Sequence, residues 1–152
     1  MRAVIQRVSS ASVAVDGKIV GSCERGCLIL LGVADGDTEV DAELLCKKIA
    51  ALRIFRDEND KMNLSVRDID GEALVISQFT LLANYRHGNR PDFLASAKPD
   101  EANRLYEYFT ELLSRELRRV EKGIFGADMK VSLTNDGPVT ICMDSEVLKK
   151  KK

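Results

Sequence analysis

Apolar and polar residues alternate over the first fifth of the chain, and a helical rhythm appears twice after that. Ala3-Val4-Ile5 and Val8 open a strand pattern, and Ser12-Val13-Ala14-Val15 carries a second one into Asp16-Gly17, a hairpin signal before Ile19-Val20. Glu24-Arg25-Gly26 turns the chain into Cys27–Val33, an apolar run of strand length. Asp35-Gly36-Asp37-Thr38 ends that run, and Thr38 with Asp41 forms a capping box with Asp in place of Glu. Val40, Leu44, Leu45, Ile49 and Leu52 then follow helical spacing. Arg53-Ile54-Phe55 is a short strand, Asp57 to Asp60 and Asp70-Gly71 are turns, and Ala73–Phe79 is apolar enough to predict a central, buried strand.

Residues 83–99 are irregular, punctuated by Asn84, Gly88, Asn89, Pro91 and Pro99. Asp100 is the expected cap of a long helix with the stripe Ala102, Leu105, Phe109, Leu112, Leu113, Leu117 and Val120, and Gly123 is its expected stop. Lys130–Leu133 and Val139–Met143 are the last strands, separated by Asn135-Asp136-Gly137-Pro138. The predicted order is ββββ-α-ββ-loop-α-ββ, an α+β domain. At 152 residues the chain makes one domain, expected over 1–148, with Lys149 to Lys152 as a frayed, disordered tail.

Composition narrows the classes. Charged residues are 31% and hydrophobic ones 45%, which fits a globular chain and excludes a disordered one. No apolar run reaches membrane-spanning length. Met1-Arg2 leads straight into a strand pattern, without a signal-peptide or transit segment, so the expected location is the cytoplasm. Outside the four terminal lysines, 19 Lys+Arg face 24 Asp+Glu, so bulk charge does not announce a nucleic-acid binder. Any such surface has to be local. The one basic cluster in an irregular segment is Arg86, His87 and Arg90, and a long loop in a small domain is a place where function concentrates.

Cys23 and Cys27 have a C-x3-C spacing that a metal could use, but His87 is the single histidine and no C-x-x-C occurs. The four cysteines read as reduced core thiols, and neither a metal nor a cofactor is expected. A Ser-His or Cys-His nucleophile would have to recruit His87. There is no G-x-S-x-G, Walker loop or G-x-G-x-x-G. Ser77-Gln78-Phe79-Thr80-Leu81 closes the buried strand with three hydrogen-bonding side chains, either as a presented site or as a satisfied strand end. Thr80 has no neighbouring base to activate it. Asn135-Asp136-Gly137-Pro138-Val139-Thr140 has the composition of a hairpin turn, and spacing alone does not select it as a site.

These two segments together resemble the paired signatures of the D-aminoacyl-tRNA deacylase family. The likeness runs end to end: Met1 to Val8, Leu30-Leu31-Gly32-Val33, Gly36-Asp37-Thr38, Leu52 to Phe55 and Lys61 to Ser65 follow the family's order. The resemblance implies a small β-barrel-like α+β domain with two main helices, acting as a cytoplasmic homodimer. Its reaction would be hydrolysis of the ester that joins a D-amino acid to the 3′ end of tRNA, with glycyl-tRNA as a second substrate.

Ser77, Gln78, Phe79 and Thr80 would line the pocket, with the Phe79 N–H as oxyanion donor and the tRNA 2′-OH assisting. A cis Gly137-Pro138 unit from the partner subunit would receive the substrate amine and exclude an L side chain, and Met129 would complete the lining. Arg86, His87 and Arg90 would meet tRNA phosphates; here the chain departs from the family, with His87 and Asn89 where Lys or Arg is common. Two other classes compete with the ester hydrolase. One is a non-catalytic nucleic-acid or partner-binding module on the same fold, supported by the basic loop, the Arg-rich helix and the Lys tail. The other is a thiol- or His-dependent hydrolase, which the lone His87 disfavours.

Overall fold

A computed structural model describes residues 1–150. The chain runs β1 (Arg2–Val15), β2 (Lys18–Cys23), β3 (Gly26–Gly32), α1 (Glu39–Ala51), β4 (Phe55–Arg56), β5 (Met62–Leu64), β6 (Glu72–Ser77), a 3-10 turn (Phe79–Leu82), α2 (Pro99–Ser114), β7 (Arg119–Lys122), β8 (Lys130–Asp144) and α3 (Ser145–Lys149). One edge of β1 pairs antiparallel with β3 through Arg2–Val8 and with β2 through Ala11–Val15; its other edge pairs with β8. β6 then adds parallel to β3, and β7 parallel to β6. The Ser22 amide donates to Glu121 Oε1 at 2.9 Å, which brings β7 back against β2 and nearly closes the sheet into a barrel.

The alternation of β3 and β6 divides the core. Cys27, Ile29, Leu31, Ala73 and Val75 face α1 and α2, where Leu45, Ile49, Leu105, Tyr106 and Phe109 meet them. Leu28, Leu74 and Ile76 point the other way, into a barrel interior shared with Val8, Ala11 and Val13. Strands buried on both faces read as continuous apolar runs, which is why both were legible as strands.

Five expectations need correction. The first strand is one 14-residue element instead of two, and register shifts near Val8 absorb the polar Ser9-Ser10 interruption. The long helix stops at Ser114: Leu117 lies beyond it and Val120 sits in β7, whose pairing with β6 outweighs the continuing helical rhythm. Its N-cap is Lys98 with Pro99 at the first position, and Asp100 sits in the first turn. Gly123 follows β7, not a helix, and its amide donates to the Val75 carbonyl at 3.1 Å. β8 runs through residues 135–138 as one element where two strands are expected, but its pairing with β1 breaks there: Thr140 faces Gln6 and Asn135 faces Val8, so residues 136–139 bulge off the ladder.

The C-terminal expectation also changes. Lys149, expected in a frayed tail, ends α3, and its ammonium lies 2.7 Å from both Asp41 and Glu146. Lys151 and Lys152 fall outside the described residues.

Asp41 ties this corner together. The capping box read from the sequence forms, with the Thr38 amide donating to Asp41 Oδ2 at 2.9 Å. Ser145 Oγ donates to Asp41 Oδ1 at 2.6 Å, so one fully buried carboxylate joins α1 to α3. Burial alone would raise its pKa; the bonds from Lys149, Ser145 and Thr38 overcome that and hold it at about 2.

Because the folded value lies below the ordinary 3.8, the contribution is fully present above about pH 4 and is lost as pH falls through about 2. Asp41→Asn should therefore lower stability at neutral pH by about 2 kcal/mol. The gap between the two proteins should narrow steadily below pH 4. Urea unfolding of both at pH 7, 4 and 2 checks this, and a gap independent of pH would count against it.

Candidate active site

β6 ends at Ser77, and the chain tightens at once into the 3-10 turn Phe79–Leu82. The Gln78 amide donates to the Leu31 carbonyl at 2.8 Å, carrying the parallel pairing one step past the strand. Leu81 N donates to Gln78 O at 3.3 Å and Ala83 N to Thr80 O at 3.1 Å. The first amides of such a turn, Phe79 and Thr80, have no acceptor within it. Gly32 lets the turn dock: a Cβ there would sit 2.7 Å from Leu82 Cδ2 and 2.8 Å from the Gln78 carbonyl oxygen. Arg2 Nη1 donates to the Leu81 carbonyl at 3.0 Å from the other side.

A cavity of about 520 Å³ opens beside this turn. Ser77, Gln78, Phe79 and Met129 all line it, together with Ser96 and the apolar walls Leu31, Ile76 and Phe125. Four of the expected pocket residues thus share one space. Thr80 is not in the lining; its hydroxyl accepts a hydrogen bond from Gln78 Nε2. Phe79 is 57% exposed, its ring set edge-on to Phe93 with centroids 5.1 Å apart. Tyr106 also lines the space, but its hydroxyl donates to the Val75 carbonyl at 2.9 Å, and burial pushes its pKa up.

Asp128 also lines the cavity, with its carboxylate 3.1 Å from Lys130 Nζ; other side chains with proton-transfer or nucleophilic chemistry are scarce here. Burial pushes the Cys23 and Cys27 thiols up to about 12 and Cys46 to about 11, far from a reactive thiolate. His87 sits exposed at the tip of the 84–92 excursion with Arg86 and Arg90. That excursion is pinched at its base, where Asn84 N donates to Asp92 O at 2.8 Å and Asp92 N to Asn84 O at 2.9 Å. Among the described residues, no group of three or more His, Cys, Asp or Glu is placed to hold a metal ion.

The second signature segment lies elsewhere. Gly137 and Pro138 are exposed on β8, their peptide is cis, and neither lines the cavity of its own chain. The segment is stapled from within: Val139 N donates to Asn135 Oδ1 at 2.7 Å, and Asn135 Nδ2 donates to Val139 O at 3.0 Å. Gly137 has φ +151°, and a Cβ there would meet Val139 N at 2.9 Å and Arg7 Nη2 at 3.0 Å.

Arg7 is the residue that sequence reading passed over. It is 2% exposed, donating from Nε to the Asp136 carbonyl and from Nη1 to the Ile54 carbonyl, both at 2.7 Å. The signal was present: Ala3, Ile5 and Arg7 fall in phase on the buried side of β1. A charge at an inward position demands partners, and here they are the Asp136 carbonyl in the signature segment and the Ile54 carbonyl outside it, with the Asp136 carboxylate 3.8 Å away.

A family model described as D-Tyr-tRNA(Tyr) deacylase matches residues 4–144. A protein of Caldicellulosiruptor saccharolyticus named D-aminoacyl-tRNA deacylase is 57% identical over 146 residues, 96% of this chain and 98% of its own length. One of the same name from a Sulfurihydrogenibium species is 58% identical over 97% of this chain and all of its own length. Among solved structures, one described as c-Myc DNA unwinding element binding protein is 41% identical, with TM-score 0.90, covering 95% of this chain and 98% of its own. A probable eukaryotic D-amino acid tRNA deacylase shares the fold at TM-score 0.81 and 18% identity, over 94% of this chain and 98% of its own.

The Arg7 contacts generate a test of their own. A lysine must reach from a single nitrogen the two carbonyls that Arg7 serves with separate nitrogens, so Arg7→Lys should weaken or lose one of these bonds. The expected loss is about 1–3 kcal/mol in urea unfolding, with the amide resonances of Asp136, Gly137 and Val139 displaced in an NMR spectrum. Wild-type stability and unmoved resonances would show that the segment holds itself.

Proposed function

The chain belongs to the D-Tyr-tRNA(Tyr) deacylase family and is a hydrolase of the ester in D-aminoacyl-tRNA; from that premise we propose how this site selects and cleaves its substrate. One observation carries the reading. The two signature segments are each held rigidly, yet Gly137 and Pro138 lie outside the cavity that Ser77, Gln78 and Phe79 line in the same chain. A second copy brings them together. In the homodimer, the Gly137-Pro138 unit of one protomer enters the cavity mouth of its partner, where main-chain carbonyls receive the substrate's α-amino group.

The selection is steric. With the amine fixed by that unit and the ester carbonyl against the turn, a D side chain points outward and an L side chain meets the wall. Exclusion by clash gives larger ratios than unequal attraction. Glycine carries no side chain to reject, so glycyl-tRNA is also cleaved. Met129 and the Ser77–Thr80 turn form the remaining walls, and Arg86, His87 and Arg90 contact phosphates of the acceptor end. The work takes place where tRNA is charged and used, in the cytoplasm.

Cleavage needs no side-chain nucleophile. Water attacks the ester carbonyl, and its oxygen takes up negative charge opposite the Phe79 N–H, a donor already aimed because the turn leaves it unpaired. The attacking water gives up a proton, which the neighbouring 2′-OH relays to the ribose oxygen as collapse breaks the bond to it, and the free D-amino acid and tRNA are released. Prepositioning on a rigid turn supplies the rest of the acceleration.

Matched D- and L-tyrosyl-tRNA test the stereochemical claim. D-tyrosyl-tRNA should be hydrolysed rapidly and the L form left intact, by a species with the mass of two chains in sedimentation. Gly137→Ala should slow the D reaction or admit the L isomer, since a side chain there collides with Val139 and Arg7. Equal rates on the two isomers, or full activity in a monomer, would sink the reading.

The main-chain mechanism has a separate check. Thr80→Ala, His87→Ala and Ser replacements of each cysteine should all keep a substantial share of kcat. Loss of a true nucleophile or its base costs several orders of magnitude. A folded, dimeric variant from this set that is dead would identify the side chain the mechanism omits.

A further inference from the structure

We propose that Ser96 is a positioning residue for the catalytic turn, acting through the peptide that joins Phe79 to Thr80. This rests on the reading above, in which the Phe79 N–H of that turn faces the developing oxyanion, and Ser96 grips the carbonyl of the same residue. Ser96 Oγ donates to the Phe79 carbonyl at 3.3 Å. A trans peptide unit is planar, with its carbonyl and N–H pointing oppositely. A bond that holds the Phe79 oxygen therefore fixes the direction of the Thr80 N–H, and with it the pitch of the turn. The preceding peptide is already fixed in the same way, because Leu81 N holds the Gln78 oxygen and so aims the Phe79 N–H. The two bonds act on consecutive peptides, and only the second comes from outside the turn.

The serine is itself anchored to the scaffold. Asp35 N donates to the Ala95 carbonyl at 2.8 Å and Ala97 N to the Val33 carbonyl at 3.0 Å, so backbone bonds flank Ser96 on both sides. Ser96 N donates to the Phe93 carbonyl at 3.0 Å, and the Phe93 ring meets the Phe79 ring. These partners, Val33 and Asp35, continue directly from β3, the strand whose Leu31 carbonyl receives the Gln78 amide. Both ends of the clamp on Phe79 thus refer to β3, while tRNA contact falls on the separate, exposed tip at Arg86–Arg90. Phe79 is more than half exposed, so its own burial does not hold it. The hydroxyl of Ser96 does.

The experiment compares Ser96→Ala and Ser96→Thr with the native chain, each as the intact dimer. Three measurements are made: steady-state kinetics giving kcat and KM on D-tyrosyl-tRNA, the amide resonances of Phe79 and Thr80 in the free protein, and the thermal midpoint. Misplacing a reacting group by about 1 Å costs on the order of 100-fold, and losing one restraint of several is expected to lower kcat about 10-fold. In Ser96→Ala, KM should change by less than about two-fold, the Phe79 and Thr80 amides should shift or broaden, and Ser96→Thr should restore both. A purely structural role would move the midpoint without this split and without rescue by threonine. Unmoved amides with unchanged kcat would overturn the role of Ser96 and leave the main-chain mechanism standing. Moved amides with unchanged kcat would overturn both, because the turn would then not be the oxyanion donor.

Discussion

β3 and β6 run side by side in the same direction, and a parallel pair requires a crossover long enough to bring the chain back. Here α1 and the small β4–β5 hairpin make that return and cover one face of the pair, while the barrel interior covers the other. Both strands therefore end at the same edge of the sheet. At that edge the Leu31 carbonyl has one more amide to receive, that of Gln78, and the chain can leave the sheet only by tightening over Gly32. The turn, its exposed amides and the cavity beside it all follow from where this pairing stops. A substitution that shifts the register of β6 by one residue would invert Leu74 and Ile76 with Ala73 and Val75, and would carry the turn away with them.

The same economy governs the charged groups. Arg7, Asp41 and Glu72 are buried, and each is used to join elements distant in sequence. Arg7 joins β1 to the stretch around Asp136, Asp41 joins α1 to α3, and Glu72 joins β6 to Arg118, at 2.7 Å, beside β7. A buried charge left without its partner costs far more than the pair contributes. These residues therefore act less as sources of stability than as selectors of one arrangement. The arrangement they select is the one that keeps the Gly137 segment outward and the α3 corner closed.

The sequence was legible where periodicity and burial agree. β3 and β6 were readable because strands covered on both faces are continuously apolar, and α1 because Thr38 and Asp41 announce its start. It misled where a local rhythm outran the element that produced it. Leu117 and Val120 keep the spacing of α2, yet Glu72 and the open edge of β6 draw that segment into β7. Among site residues, Ser77 to Phe79 and Met129 were named from a resemblance, and the fold brings them to one cavity. Arg7 and Ser96 escaped notice for opposite reasons. The first hides in a strand where its in-phase position was the clue. The second lies in an irregular loop, where nothing local distinguishes a hydroxyl that holds a carbonyl from one that faces water.

What the site lacks in reactive side chains has a physical counterpart in how its donors are held. A side-chain catalyst can find its rotamer after the substrate arrives; a main-chain N–H cannot turn without turning its peptide. Each amide must therefore be aimed in advance by something that grips the carbonyl behind it. In this turn the grips are the Leu81 amide on Gln78 and the Ser96 hydroxyl on Phe79, with Gly32 beneath and Arg2 on the Leu81 carbonyl. None of these groups needs unusual acidity. On the mechanism proposed above, an activated ester asks little of its catalyst chemically, so the demand on this fold is geometric. Rigidity that is sufficient for charge stabilisation is also what a steric test of chirality requires, since a wall that yields excludes nothing. One turn, fixed at the end of one strand pair, can meet both demands.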